Sequence, residues 1–243
     1  MVNFYGAFKA EIWTAVFIMT PIVCLVHYLC FGPKKSEPGN SGFVRRFGTA
    51  ERFFHWITML VFLVVMTTGV QQVLGGPGKH HIGPFHGNLG FALVILFLID
   101  LFFWVKDALF KEYDLVWLKS MGGYLSRGKA HLPAGRFNAG QKMYFWLILL
   151  TLIALLVSAL LMEQGGHGPH SPAFRLGFWW SVHGLLGCLA TVMLIGHAYL
   201  SIMANPQTAR VLWDGTVCRR YAEEHHSRWE KTEDKKCRQL PNI

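Results

Sequence analysis

Residues Leu176–Ala204 read LGFWWSVHGLLGCLATVMLIGHAYLSIMA, an apolar run longer than the roughly 20 residues that cross a bilayer as a helix. The extra length allows a tilted span or one that continues past the lipid. Two histidines interrupt the run, His183 and His197, 14 positions apart. At about 100° per residue they fall some 40° short of four full turns, so they face nearly the same way, roughly 21 Å apart along the axis.

Working outward, four more runs have span character: Ile12–Phe31, Phe53–Leu74, Leu89–Val105 and Met143–Met162. None shows the ten-residue alternation of a membrane barrel strand. The expected fold is an all-α membrane protein: a four-helix transmembrane bundle with one extra N-terminal transmembrane helix. The leading run is read as a retained span, because Lys9 is offset by Glu11 in its flank and the run exceeds a signal-peptide core. Gly32–Gly42 (GPKKSEPGNSG) reads as a joint. The expected divisions are an N-terminal helix and linker at 1–43, the four-helix domain at 44–218, and a polar, solvated tail at 219–243.

Composition agrees. Of 243 residues 52% are hydrophobic and only 15% charged, against about 25% charged in an ordinary globular domain. That excludes disorder, and five scattered cysteines exclude a disulfide scaffold. The net charge of +9 would suit nucleic acid only if the basic residues shared one folded patch, and their placement says otherwise. Five lie between the Ile12 and Phe53 runs, seven between the Leu89 and Met143 runs, and eight follow Ala204. If the spans alternate, 20 of the 23 basic residues share one side, which the positive-inside rule makes cytoplasmic. The N-terminus is then outside and the C-terminus inside.

Topology sorts the 12 histidines. His80, His81, His131, His167, His170, His225 and His226 fall in loops or the tail and are expected to be exposed; His27 reads as a structural histidine of the leading helix. Four belong to spans. His86, just before the Leu89 run, matches His183 on the outer side, and His55 matches His197 on the inner side. Each layer offers two imidazoles on different helices, the arrangement that clamps a six-coordinate iron porphyrin. Gly69, Gly87, Gly90, Gly184, Gly187 and Gly196 accompany them; they admit a macrocycle's close approach or serve ordinary helix packing. There is no CxxCH for covalent haem and no cysteine spacing for an iron–sulfur cluster. Zinc on a His pair gives no reason for two stacked layers. Two non-covalent b haems, carrying electrons rather than binding substrate, fit best.

The basic segment before the Met143 run contains Asn138, Gly140 and Gln141. Their amides and the open glycine N–H suit quinone carbonyls. By chemistry alone the stronger reading is a helix N-terminus capped by Asn138. Asp100, the one acidic residue well inside a span, is a functional candidate by default, with pairing to Lys106 or another structural bond favoured over a proton-feeding role.

Several pieces resemble one known family: Ala50–Trp56 (AERFFHW), Pro84–Gly87 (PFHG), Gly135–Trp146 (GRFNAGQKMYFW), Val182–Gly184, His197–Tyr199 and Arg219–Trp229 (RRYAEEHHSRW). Together they resemble the cytochrome b (gamma) subunit of membrane-bound respiratory formate dehydrogenase, over about Val44 to Glu230. The resemblance implies that His86 and His183 hold a periplasmic haem iron and His55 and His197 a cytoplasmic one. It also implies that Asn138, Gly140 and Gln141 belong to a menaquinone site, reversing the preference for simple capping. The leading helix, the joint and the short loop Gln71–Phe85 depart from the usual pattern, which bears on the docking partner.

The implied partners are an iron–sulfur electron-transfer subunit and a molybdopterin subunit carrying molybdenum or tungsten, with the chain spanning a bacterial inner membrane. Nothing in the sequence supplies a formate or molybdopterin site, so chemistry on formate falls to another subunit. Two alternatives stand beside this: the cytochrome b of a hydrogenase or sulfur-compound reductase, or a haem-free scaffold or transporter.

Overall fold

The computed structural model describes residues 2–33, 42–75, 82–125, 132–165 and 173–229. In chain order the elements are α1 (Val2–Phe31), β1 (Phe43–Arg45), α2 (Thr49–Leu74), α3 (Ile82–Ala108), α4 (Asp114–Lys119), α5 (Ala139–Gly165), α6 (Ala173–Tyr199), α7 (Pro206–Asp214), β2 (Thr216–Cys218) and α8 (Arg219–His225). Helices α1, α2, α3, α5 and α6 are each long and apolar enough to cross a membrane. The chain is therefore an all-α multi-pass membrane protein, with five candidate spans among the described residues, as the sequence indicates. The helices outrun the apolar stretches because polar residues start them: Glu51 accepts the Gly48 N–H at 2.6 Å ahead of α2. His86 accordingly lies inside the first turns of α3 rather than before that helix.

Local chemistry explains the ends. Gly32, at φ +69° and followed by Pro33, closes α1, its N–H returning to the Tyr28 carbonyl at 2.8 Å. Pro21 sits within α1, as membrane helices tolerate. After Tyr199 the helix widens into a π-helical turn, Leu200–Ala204, before Pro206 opens α7.

The chain forms two compact units. One comprises Met1–Cys24, Phe54–Leu101 and Leu147–Gly196, the other Leu25–Phe53, Phe102–Trp146 and His197–Ile243. In the first, Trp13, Val73 and Cys188 form one buried cluster. Its contact between α1 and α6 is tight: a Cβ on Gly184 would collide with the Tyr5 ring, and one on Gly187 would touch Trp13 at 3.4 Å. Trp13 donates its indole N–H to the Tyr5 hydroxyl at 3.1 Å. These two glycines serve helix packing. Added Cβ atoms at Gly87, Gly90 and Gly196 would meet nothing within 4 Å.

The second unit holds a feature the sequence did not suggest, an antiparallel ladder pairing Val44 with Val217. Gly215, at φ +80°, lies so close to the Phe47 carbonyl that a Cβ would approach it to 2.6 Å, so glycine alone fits the turn. Val211, Val217, Cys218, Tyr221, Ala222 and Trp229 make the core, with Val44 and Phe47 against it. The segment Arg219–Trp229 is thus packed rather than solvated, because its aromatic residues cover the β-ladder. His226 is fully buried, not exposed, and donates from Nδ1 to the Gly135 carbonyl at 2.8 Å. His225 is half-buried. His80, His81, His131, His167, His170, residues 34–41 of the joint and the tail beyond 229 lie outside the described residues.

Candidate functional site

The first unit brings together one of the expected histidine pairs. His86 of α3 and His183 of α6 have ring centroids 6.2 Å apart, their planes at 77°. An imidazole nitrogen binds a transition metal at about 2.0–2.1 Å and lies about 1.1 Å from its own ring centre, so two imidazoles on opposite sides of one metal have centres about 6.3 Å apart.

Each ring is held by its neighbouring helix through Nδ1. Thr68 of α2 donates its hydroxyl to the Val64 carbonyl at 2.9 Å, which leaves the oxygen to accept from His86 Nδ1 at 3.0 Å. Ser158 of α5 donates to the Leu155 carbonyl at 2.9 Å, and His183 Nδ1 lies 2.9 Å from that hydroxyl and 3.1 Å from the same carbonyl. With the Nδ1 proton so committed, Nε2 is the nitrogen left on both rings that could bind a metal, and such Nδ1 partners are the outer-shell arrangement typical of ligating histidines. Gly69 completes the cradle, since a Cβ there would press on His86 Cε1 at 3.1 Å. Thr68 and Ser158 were missed from sequence; the available signal was a hydroxyl residue in an otherwise apolar stretch. Among the described residues no three His, Cys, Asp or Glu side chains converge on a metal. A pair of imidazoles suits iron whose remaining ligands come from a porphyrin.

His55 and His197 belong to different units. His55 is half-buried on α2. His197 stacks on Tyr144 of α5, ring centroids 4.5 Å apart and planes at 16°. His27 behaves as a structural histidine. Its Nδ1 meets the Tyr199 hydroxyl at 2.5 Å and its Nε2 the Tyr124 carbonyl at 3.1 Å, so both ring nitrogens are engaged. Asp100 is buried and accepts from the Thr58 hydroxyl at 2.8 Å, a structural bond rather than a pair with Lys106.

At the start of α5, Asn138 and Gln141 form a reciprocal capping box. Gln141 N–H donates to Asn138 Oδ1 at 2.9 Å, and Asn138 N–H donates to Gln141 Oε1 at 3.1 Å. The Trp117 ring covers Gly140 so closely that a Cβ there would approach it to 2.5 Å. Asn138 also lines a cleft of about 20 Å³ with Tyr124, Asn205, Tyr221 and Glu224, room for a single water.

The sequence model of the prokaryotic cytochrome b561 family matches residues 46–214. The chain is similar to the formate dehydrogenase cytochrome b556 subunit of Haemophilus influenzae, 29% identical over 214 residues that cover 82% of this chain and 87% of that protein. It is similar also to two proteins of Escherichia coli K12. The nitrate-inducible formate dehydrogenase cytochrome b556(Fdn) subunit is 26% identical, covering 76% of this chain and 91% of that one. The formate dehydrogenase cytochrome b556(fdo) subunit is 26% identical, covering 79% and 95%. The match takes in α2, α3, α5 and α6, the helices that carry the imidazole pair and its hydroxyl supports, and so this chain belongs to the prokaryotic cytochrome b561 family.

Proposed function

We propose that this chain is the di-haem b electron-transfer subunit of a formate dehydrogenase-type complex in a bacterial inner membrane. In this reading it passes electrons from a periplasmic iron–sulfur subunit through two b haems to menaquinone at the cytoplasmic side. The observation that carries the reading is the His86–His183 pair, spaced for one metal with both Nδ1 atoms engaged. The kinship with cytochrome b556 subunits of formate dehydrogenases supports the partner assignment. A haem held by two imidazoles supplies one-electron transfer and offers no open iron position to a substrate.

The chain's own residues do the positioning. Thr68 and Ser158 fix the ring orientations of His86 and His183, while His55 and His197 are the proposed ligands of the second haem. The start of α5 is the proposed quinone end, where the capping box leaves the amide NH₂ groups of Asn138 and Gln141 to donate to quinone carbonyls. A naphthoquinone reaches Gly140 there only when Trp117 moves aside. With the basic side cytoplasmic and the N-terminus periplasmic, proton uptake by the quinone occurs inside, and inward electron flow is electrogenic.

Purification from membranes with co-purifying subunits, followed by a reduced-minus-oxidised spectrum, tests this directly. A b-type alpha band with two haems per chain is the expected result, and its absence would sink the reading. His86→Ala should remove one of the two haems; full retention of both would overturn the pairing. Asn138→Ala should slow quinone reduction with haem content unchanged. A co-purifying hydrogenase or sulfur-compound reductase would replace formate dehydrogenase as the partner and leave the haem ligands as assigned.

A further inference from the structure

A cleft of about 580 Å³ in the second unit is walled by the chain ahead of α2, the end of α3, the segment leading into α5 and the Arg228–Trp229 turn. Its charges do not balance. Glu51 and Asp107 are the acidic groups lining it. Arg136 takes both, at 2.6 and 2.8 Å. Lys142 is matched by Asp114 at 2.8 Å. Arg45, Lys106 and Lys111 add exposed positive charge with no carboxylate of the lining left for them.

Arg46 is the most demanding member. It is only 4% exposed and makes no ion pair among the described residues. One of its terminal nitrogens donates to the Arg136 carbonyl at 2.6 Å and to Gln141 Oε1 at 3.3 Å, while its Nε has no acceptor. Burial, with Arg136 alongside, lowers its pKa to about 10, against partial support from Tyr221 and Asp107. The guanidinium therefore stays charged at neutral pH, and a buried charge without a counter-ion is costly. Lys106 and Asp107 belong to the last turn of a membrane-spanning helix, which puts the cleft at the level of lipid headgroups.

We infer that this cleft is a phosphate-binding site in which Arg46, Lys106 and Lys111 receive a phosphate group, supplied by an anionic phospholipid headgroup or by free phosphate. The inference is independent of the haem and quinone assignments. The group supplies the negative charge missing from the cleft that Arg46 helps to line. A guanidinium and two ammonium groups suit phosphate oxygens.

The test uses the full-length protein in its purified complex. Mass spectrometry should find about one tightly held phosphatidylglycerol per chain beyond the detergent-exchangeable lipid. After delipidation, vesicles of phosphatidylglycerol should bind saturably and vesicles of phosphatidylcholine should not. Saturation by inorganic phosphate alone would assign the site to the free ion. The Lys106→Gln, Lys111→Gln double variant removes exposed charges, spares the fold, and should weaken binding by roughly tenfold or more, with haem content unchanged. Arg46→Gln should weaken it further where the variant folds. Failure of the wild-type protein to bind either probe, or equal binding by the double variant, would overturn the inference.

Discussion

The two compact units handle buried polarity in opposite ways. In the first, polar side chains are few, and each deep one is tied at short range: Thr58 to Asp100, Thr68 to His86, Ser158 to His183, Thr191 to the Gly187 carbonyl one turn back. Only three of the 23 basic residues fall in its segments. The second unit carries the other 20 and buries some of them, with Lys142 and Asp114 each about 2% exposed in an ion pair. Hydrogen-bonded hydroxyls are the economical solution where the surrounding solvent is hydrocarbon. Buried ion pairs occur where the chain is long enough in loops and short elements to supply further hydrogen bonds around them. The contrast separates a region that pairs neutral polar groups from one built to hold charge.

Four changes would break or sharpen that contrast. The largest effect belongs to the charged unit: Lys142→Met strands buried Asp114 and should cost about 3–5 kcal/mol of stability. Adding Asp114→Asn should recover much of it; denaturant midpoints of the single and double variants measure both. In the neutral unit, Thr68→Val and Ser158→Ala should each weaken haem retention about tenfold, the low end for outer-shell partners. Haem loss against an apo-myoglobin acceptor reads this, and unchanged loss rates would reduce those hydroxyls to packing.

The third change is one of pH. Burial, with Arg46 and His225 nearby, holds His226 well below the ordinary histidine range. The unfolded chain takes up this proton near pH 6.5 while the folded one does not, so stability is full above that value and falls as pH drops through it. Hydrogen exchange at Arg219–Trp229 should accelerate between pH 7.5 and 5.5, and His226→Asn should flatten the dependence. The smallest effect is at Asp214. Slight burial raises its pKa, but Arg210 and the Thr216 N–H and hydroxyl outweigh this and hold it at about 2. Its contribution is present above about pH 4 and lost as pH falls towards 2. This exposed pair should give only a marginal acid-side difference between the wild-type protein and Asp214→Asn.

Legibility from sequence follows the same divide. The spans and their number could be read because bilayer thickness imposes one period and one length on every crossing helix. The partner hydroxyls could not be placed, since a lone Thr or Ser in a span bonds its own preceding turn as readily as a neighbouring helix. In the second unit the basic residues were read as a topological marker, but counting says nothing of burial. The ladder between Phe43–Arg45 and Thr216–Cys218 joins segments about 170 residues apart through three-residue strands, too short to leave a period. His226 looked solvent-facing in a polar tail because the aromatic residues that bury it, Tyr221 and Trp229, are spaced without regular periodicity. At α5 the cap at Asn138 was legible from chemistry, though the resemblance reversed that preference, and the return bond from the Asn138 N–H to Gln141 Oε1 was not read.

The seat of Tyr5 against Gly184 has a consequence for biogenesis. Tyr5 of α1 finds its seat on α6, some 180 residues later in the chain. Until α6 is in the bilayer, α1 can pack on α2 through Trp13 and Val73, but Tyr5 has no seat. Gly184 neighbours His183, so closure of the bundle and completion of the imidazole pair are a single late event in synthesis. A chain truncated before residue 176 should therefore leave Tyr5 unseated and the imidazole pair unmade.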